Sequence, residues 1–238
     1  MSRLTGRCAN PAKAKGWKLR TRLLNFSVTK AHEAQKRLGK KIVHHDKLPR
    51  KIQLVAGVDV AYFDEEAIGA VAVLDYTSLK VVESQTATVR VKVSYIPTLL
   101  SFREIPPTIA CIRRLRLQPD IFLADGHGFA HPYGCGFASH LGLALGKSTI
   151  GVAKSWLIGE VKEIGGQVFL VHDGIVVGSV LSAKEGAKPV YVSVGHLISL
   201  STSMEIVQHC TRSSRIPEPL LAAHRIASER KKIAMENR

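Results

Sequence analysis

Three acids in this chain stand where a carboxylate is costly unless something pairs with it. Asp59 lies in the middle of VAGVDVAYF with apolar neighbours on both sides, and an unpaired charge there is expensive. Asp125 closes the apolar run IFLAD and is followed at once by Gly126; in open α/β sheets, sites form outside the carboxyl ends of such strands. Glu104 sits in SFREIPP, just before or inside a helix N-terminus, and Lys154 ends a further apolar run, TIGVAK. Carboxylates from a central strand, a parallel neighbour and a flanking helix can converge on one divalent cation. Hard oxygen ligands favour magnesium or manganese over zinc. Hydrolysis of a phosphodiester is a reaction such a cluster serves, because the cation activates water and offsets charge on phosphate. A lysine on the same edge can hold the phosphate or orient the water.

Taken singly, each residue also has a plainer role. Asp59 could pair with a base on a solvated strand face, Asp125 could cap a turn or helix, and Glu104 suits a helix dipole. Lys154 could lay its stem along a strand end. His224, in EPLLAAHRIASER beside Leu220, Leu221 and Ala227, reads alone as a structural histidine on a core-like helix. The stretch DGHGFAHPYGCGFASHLG, Asp125 to Gly142, raises a zinc alternative on His127, His131, Cys135 and His140. It lacks a CxxC or HxxxH pair with a distant partner pair, which argues against zinc.

The elements that must position these groups are readable. SVTKAHEAQKRL (27–38) suits a helix capped by Ser27 or Thr29, with Gly39 as its stop signal. Residues 53–63, 68–76 and 80–93 read as three strands of an antiparallel meander joined by short turns. Pro106 and Pro107 would break a helix interior, so the next helix is expected from about Pro107 to Leu117, burying Ile109, Ile112 and Leu115. Strand 121–125, helix 136–146 and strand 148–155 form a βαβ unit with parallel strands. Strands at 167–172, 175–182 and 189–194, then helices near 201–210 and from Pro217, complete the chain. A meander followed by alternating helices and parallel strands predicts an α/β fold, a mixed sheet covered by helices.

The 238 residues carry a net charge of +15, unevenly spread. Residues 1–51 hold 15 of the 34 Lys and Arg but only Glu33 and Asp46 of the 19 acids. Residues 1–26 are therefore expected to be a basic arm, either a phosphate-binding segment or a solvated tail. Residues 27–238 would be one catalytic domain. Cysteines 8, 111, 135 and 210 form no paired motif, which fits a reducing cytosol. No secretory signal or membrane span is expected, and a cytoplasmic monomer is the default.

Several blocks together resemble the endonuclease V family: GVDVAY (57–62), YIPTLLSFRE (95–104), ADGHGFAHP (124–132), ASHLGLALGKSTIGVAKS (138–155), GHLISL (195–200) and TRSSRIPEPLLAAHR (211–225). The resemblance runs in order from about residue 27 to 232. It implies an RNase H-like fold and a magnesium-dependent DNA repair endonuclease, with manganese as a substitute. Such an enzyme flips out deoxyinosine and hydrolyses the second phosphodiester on its 3′ side, leaving 5′-phosphate products. It implies Asp59 and Asp125 as metal ligands, Glu104 as a third acid acting through water, Lys154 as the active-site lysine and His224 at the fourth catalytic position. Tyr95, Ile96 and Pro97 would form a wedge that fills the space left by the flipped base, a use that offsets unstacking. Leu100, Gly126 and Gly136 would close main-chain atoms around that base. His131 would contact substrate and Arg215 a phosphate.

The chain departs from the family pattern at four places. Thr98 stands where many members have glycine, Ser94 replaces a frequent proline, Tyr133 a frequent arginine and His127 a frequent glutamine. None touches the acids; they bear on substrate range. The alternative activity is a ribonuclease for inosine-containing RNA, which one sequence does not separate from the DNA enzyme. A basic binding module with a dead site is a further alternative, opposed by the intact set Asp59, Glu104, Asp125 and Lys154.

Overall fold

A computed structural model describes residues 26–182 and 187–237. The proposed basic arm lies outside the described residues except for Phe26, whose ring meets Phe102 edge-on at 5.8 Å. Fourteen elements follow in order: α1 (Val28–Gly39), β1 (Leu54–Phe63), β2 (Glu66–Asp75), β3 (Val81–Arg90), α2 (Leu100–Ile112), β4 (Ile121–Asp125), α3 (Phe137–Leu145), β5 (Ser148–Ala153), β6 (Glu160–Ile164), β7 (Gln167–His172), β8 (Ile175–Leu181), β9 (Val190–His196), α4 (Leu200–Cys210) and α5 (Glu218–Glu236). The strands form one nine-stranded sheet in the order β3-β2-β1-β4-β5-β9-β8-β7-β6. Among the described residues no helix is long and apolar enough to cross a membrane.

Alternation along the central strands sets the two faces. Val55, Ile121, Leu123, Ile150 and Val152 pack with Ile206, Val207, Leu220 and Ala223, so α4 and α5 cover one face. Ala56, Val58, Phe122 and Ala124 pack with Cys111, Phe137 and Leu141, so α2 and α3 cover the other. Both helical layers bury apolar side chains on strands whose neighbours are apolar too, which is the pattern of a sheet covered on both sides.

The meander β1–β2–β3 is antiparallel and β1, β4 and β5 are parallel, as the sequence implies. The second half differs. β9 returns antiparallel to β5, and β6 to β9 are joined antiparallel throughout. The reason is chain length: Gly165-Gly166 and Asp173-Gly174, all at positive φ, make two-residue hairpin turns, and parallel strands need long crossovers. The edge strand β6 is exposed along its whole length, and so lacks the apolar alternation that betrays a strand.

The helix α2 also departs from expectation. It starts at Leu100 and carries Pro106 and Pro107 in its interior rather than at its first turn. The face Ile109, Ile112 and Leu115 still packs on the core. Gly69 of β2 explains why the prolines are held there: a Cβ on it would lie 2.3 Å from the Pro107 carbonyl oxygen. α2 thus lies against the sheet at that point, and packing offsets the hydrogen bonds the prolines remove.

Candidate active site

Two close crossings bring helices to the carboxyl end of β1. A Cβ on Gly57 would lie 2.0 Å from the Pro219 carbonyl oxygen, so only glycine lets α5 cross β1 there. From that crossing, five helical residues rise about 7.5 Å and two strand residues about 6.7 Å. His224 therefore comes level with Asp59, and the two bond through Nδ1 and Oδ2 at 2.7 Å. On the opposite face Gly69, which pairs with Val60, seats Pro107. Glu104, one turn earlier on the same side of α2, reaches the same end of the sheet.

The aspartates are side by side. The last register pair between β1 and β4 is Val58 with Ala124, and Asp59 and Asp125 each follow by one residue. They leave the same face of strands about 4.8 Å apart. Lys154, just past β5, forms an ion pair with Asp125 Oδ2. Asp59 Oδ1 accepts its neighbour's amide from Val60 at 2.8 Å.

Glu104 is almost fully buried, and Tyr62 donates to its Oε1 at 3.2 Å. Burial, then the negative charges of Asp59 and Asp125, push its carboxyl up to about 8, against the pull of the Tyr62 hydrogen bond and the Arg103 charge. Burial also raises Asp125, opposed by Lys154. With Glu104 holding its proton, the two aspartates face the Lys154 ammonium and the His224 imidazole. Among the described residues no three His, Cys, Asp or Glu side chains form a ready-made metal cage. Hard oxygen donors with open positions fit magnesium, which keeps several waters and takes one or two carboxylates plus phosphate oxygens.

Beside the acids lies a pocket of about 350 Å³. The expected base contacts Leu100, Gly126, His131 and Gly136 all line it, as do Tyr95 and Pro97 of the expected wedge and the side chains of Asp125 and Lys154. Tyr95 is 67% exposed and stands clear of the surface. Ile96 is half-buried, and its carbonyl accepts from the Leu99 amide at 3.0 Å. Arg215 is elsewhere: it lines a separate groove with Arg212 and Thr211 and donates to the Pro189 carbonyl at 3.1 Å.

The loop after Asp125 packs first on the protein itself. A Cβ on Gly136 would lie 2.3 Å from the His127 carbonyl oxygen. His131 has both ring nitrogens engaged: Nδ1 accepts the Tyr133 amide at 3.2 Å, so Nε2 carries the proton and donates to the Thr98 carbonyl at 2.9 Å. Burial lowers His131 and His127 to about 4, so both are neutral near pH 7. The zinc set is dispersed to other work. His140 meets Phe102 edge-on at 5.4 Å, and Cys135 is a free thiol in the core.

His224 is exposed rather than set in the core, with 62% of its side chain accessible; the alanines beside it, Ala223 and Ala227, fill the buried face instead. Sequence reasoning passed over Tyr62 and Arg103, whose guanidinium lies 4.0 Å from the Tyr62 ring centre. Both sit inside quoted blocks, GVDVAY and SFRE, so their signal was adjacency to an acid. It also passed over Gln35, a buried amide on α1 with no local pattern to mark it.

This geometry defines a class: an RNase H-like α/β domain with a carboxylate-lined cleft at the carboxyl ends of adjacent parallel strands. The endonuclease V family model matches residues 36–225, and the chain belongs to that family of nucleases. An endonuclease V of Thermofilum pendens is 42% identical over 206 residues, covering 86% of this chain and 89% of that protein. The crystal structure of endonuclease V from Streptomyces avermitilis superposes with a TM-score of 0.82 at 35% identity, covering 88% of this chain and 95% of that one. Endonuclease V from Ciona intestinalis was crystallised with a 23mer DNA containing an inosine followed by a ribo-adenosine. It has a TM-score of 0.77 at 32% identity and covers 87% of this chain and 98% of that one.

Proposed function

We propose that this protein is a magnesium-dependent endonuclease that takes an inosine out of the stack and hydrolyses the second phosphodiester on its 3′ side. The observation that carries the reading is the juxtaposition of Asp59, Asp125 and the proton-holding Glu104 beside a pocket rimmed by the exposed Tyr95. Asp59 and Asp125 would hold the cation, with Glu104 reached through water. When bound, magnesium supplies the Lewis acidity that activates water and offsets charge on the phosphate.

The chain's own residues do the rest. Lys154, tethered to Asp125, is placed to hold the scissile phosphate once a cation takes over that carboxylate. His224 fixes Asp59 through one oxygen while the Val60 amide holds the other, so the carboxylate is oriented before substrate arrives. Tyr95, Ile96 and Pro97 form the wedge. The volume of the pocket falls within the range of small-ligand sites, about 300–1,000 Å³, and suits one extruded base. The neutral His131 adds no charge beside that base.

The complex of the Ciona intestinalis relative, in which a ribo-adenosine follows the inosine, supports inosine-containing RNA as a second substrate. The test is cleavage of matched single-inosine DNA, single-inosine RNA and inosine-free controls with magnesium, for wild type and Asp59→Ala. Cutting near inosine by wild type alone is the expected result. Equal cutting by the variant would overturn the metal assignment, and much faster cutting of RNA would move the activity to ribonuclease.

A further inference from the structure

Thr98 ends the wedge loop in a conformation that a β-branched residue rarely adopts, φ +72°. Three contacts from outside the loop hold it there. Its carbonyl accepts from Gln35 Nε2 at 2.8 Å and from His131 Nε2 at 2.9 Å. Its hydroxyl lies 3.1 Å from His32 Nε2. His32 and Gln35 are one turn apart on α1, so they share a side of that helix.

Gln35 is fully buried and gives its second amide hydrogen to the Cys135 carbonyl at 3.1 Å. Its Oε1 has no partner among the described residues. Both donors are thus spent on two loops, at the expense of an unpaired buried acceptor. His32 repeats the pattern at the rim: its other nitrogen lies 3.3 Å from the Tyr133 hydroxyl, with the two rings 4.4 Å apart. Through these two residues α1 ties the loop before the pocket to the loop after it.

We propose that α1 is a clamp in which Gln35 and His32 act as positioning residues, holding the Tyr95–Thr98 loop in its strained form and so setting the preference for an extruded inosine. This rests on the function proposed above. The clamp explains why threonine is kept at a left-handed position: its hydroxyl gives His32 a handle that glycine lacks.

The test joins a readout in the free protein to one with DNA. Gln35→Leu keeps volume and removes both donors. Hydrogen exchange at the Leu99 amide, which donates to the Ile96 carbonyl and so closes the loop, is expected to rise about tenfold while exchange in β1 stays as in wild type. The ratio of Kd for undamaged over inosine-containing duplex is expected to fall about tenfold. Adding Thr98→Gly, which adopts positive φ without strain, should return the ratio to within about threefold of wild type. A structural defect elsewhere would not be rescued this way. Unchanged exchange in Gln35→Leu, or a double variant no better than the single one, overturns the clamp. Should Gln35→Leu fail to fold, His32→Ala at the half-exposed rim is expected to lower the ratio about threefold and raise the same exchange; no change there also overturns it. If wild type shows no preference for inosine, the proposed function falls, and exchange at the Leu99 amide still decides the clamp.

Discussion

The acid end of the sheet and the rim of the pocket are neighbours built on opposite principles. At the acid end, burial and then the negative charges of Asp59 and Asp125 push the Glu104 carboxyl up to about 8, while Lys154 and His224 each contact one of the two aspartates. At the rim, burial drives His127 and His131 to about 4, and neutral hydrogen bonds among Gln35, Thr98, His131 and Tyr133 hold the loops. One region is incomplete without a cation. The other already ties its loops together, leaving Gln35 Oε1 without a partner among the described residues. A cation should therefore change the first and leave the second alone.

The largest effect belongs to Asp59. Asp59→Asn keeps the shape and the amide contact from Val60 but removes a charge from the metal set. Single-turnover cleavage of inosine DNA is expected to fall on the order of 10³-fold, with duplex affinity within a few-fold of wild type. A variant that cuts at the wild-type rate would show that the reacting centre lies elsewhere.

Next comes Glu104. Its folded carboxyl titrates at about 8 against an ordinary 4.5, so the folded state holds this proton more tightly than the unfolded chain. Stability from this group is present at low pH and is lost as pH rises from about 4.5 through about 8. The full loss is on the order of 5 kcal/mol. Glu104→Gln cannot ionise and should flatten that fall, leaving the share due to Asp125, which is raised in the same direction, and the opposing rise up to about pH 6.5 from His127 and His131, which burial keeps neutral. Denaturant titrations in chelator between pH 5 and 8 read this directly. Magnesium should restore wild-type stability near pH 8; the variant keeps Asp59 and Asp125, so its gain from magnesium should vary less with pH. Parallel profiles for the two proteins would mean that Glu104 is not the frustrated group.

What the sequence discloses follows the same division. The acids are legible because a charge inside VAGVDVAYF or at the end of IFLAD has no bland surroundings to explain it. The central strands are legible for the related reason that both their faces are buried. β6 is hidden because nothing covers it, and α2 because Gly69, some thirty-five residues away, makes room for prolines that local rules forbid. Gln35 is hidden more deeply. Its partners lie 63 and 100 residues further on, and no spacing within α1 distinguishes it from a solvated glutamine. The glycines of the loop after Asp125 are legible as close approach. For Gly136 the approaching group is the protein's own His127 carbonyl.

The smallest predicted effect tests the independence of the two regions most sharply. Tyr133→Phe removes the hydroxyl 3.3 Å from His32 Nδ1 and keeps the ring that lies tilted against His32 at 4.4 Å and under the Lys36 ammonium at 5.4 Å. A long, half-exposed hydrogen bond of this kind is worth about 0.5–1 kcal/mol, so the preference for inosine should weaken about two- to fivefold. Tyr133→Ala also loses the ring and should weaken it further. Neither change reaches the carboxylates, so the magnesium concentration that gives half-maximal cleavage should stay as in wild type. A shift in that midpoint on Tyr133→Phe would mean that the rim is coupled to Asp125 and Lys154, which line the same pocket.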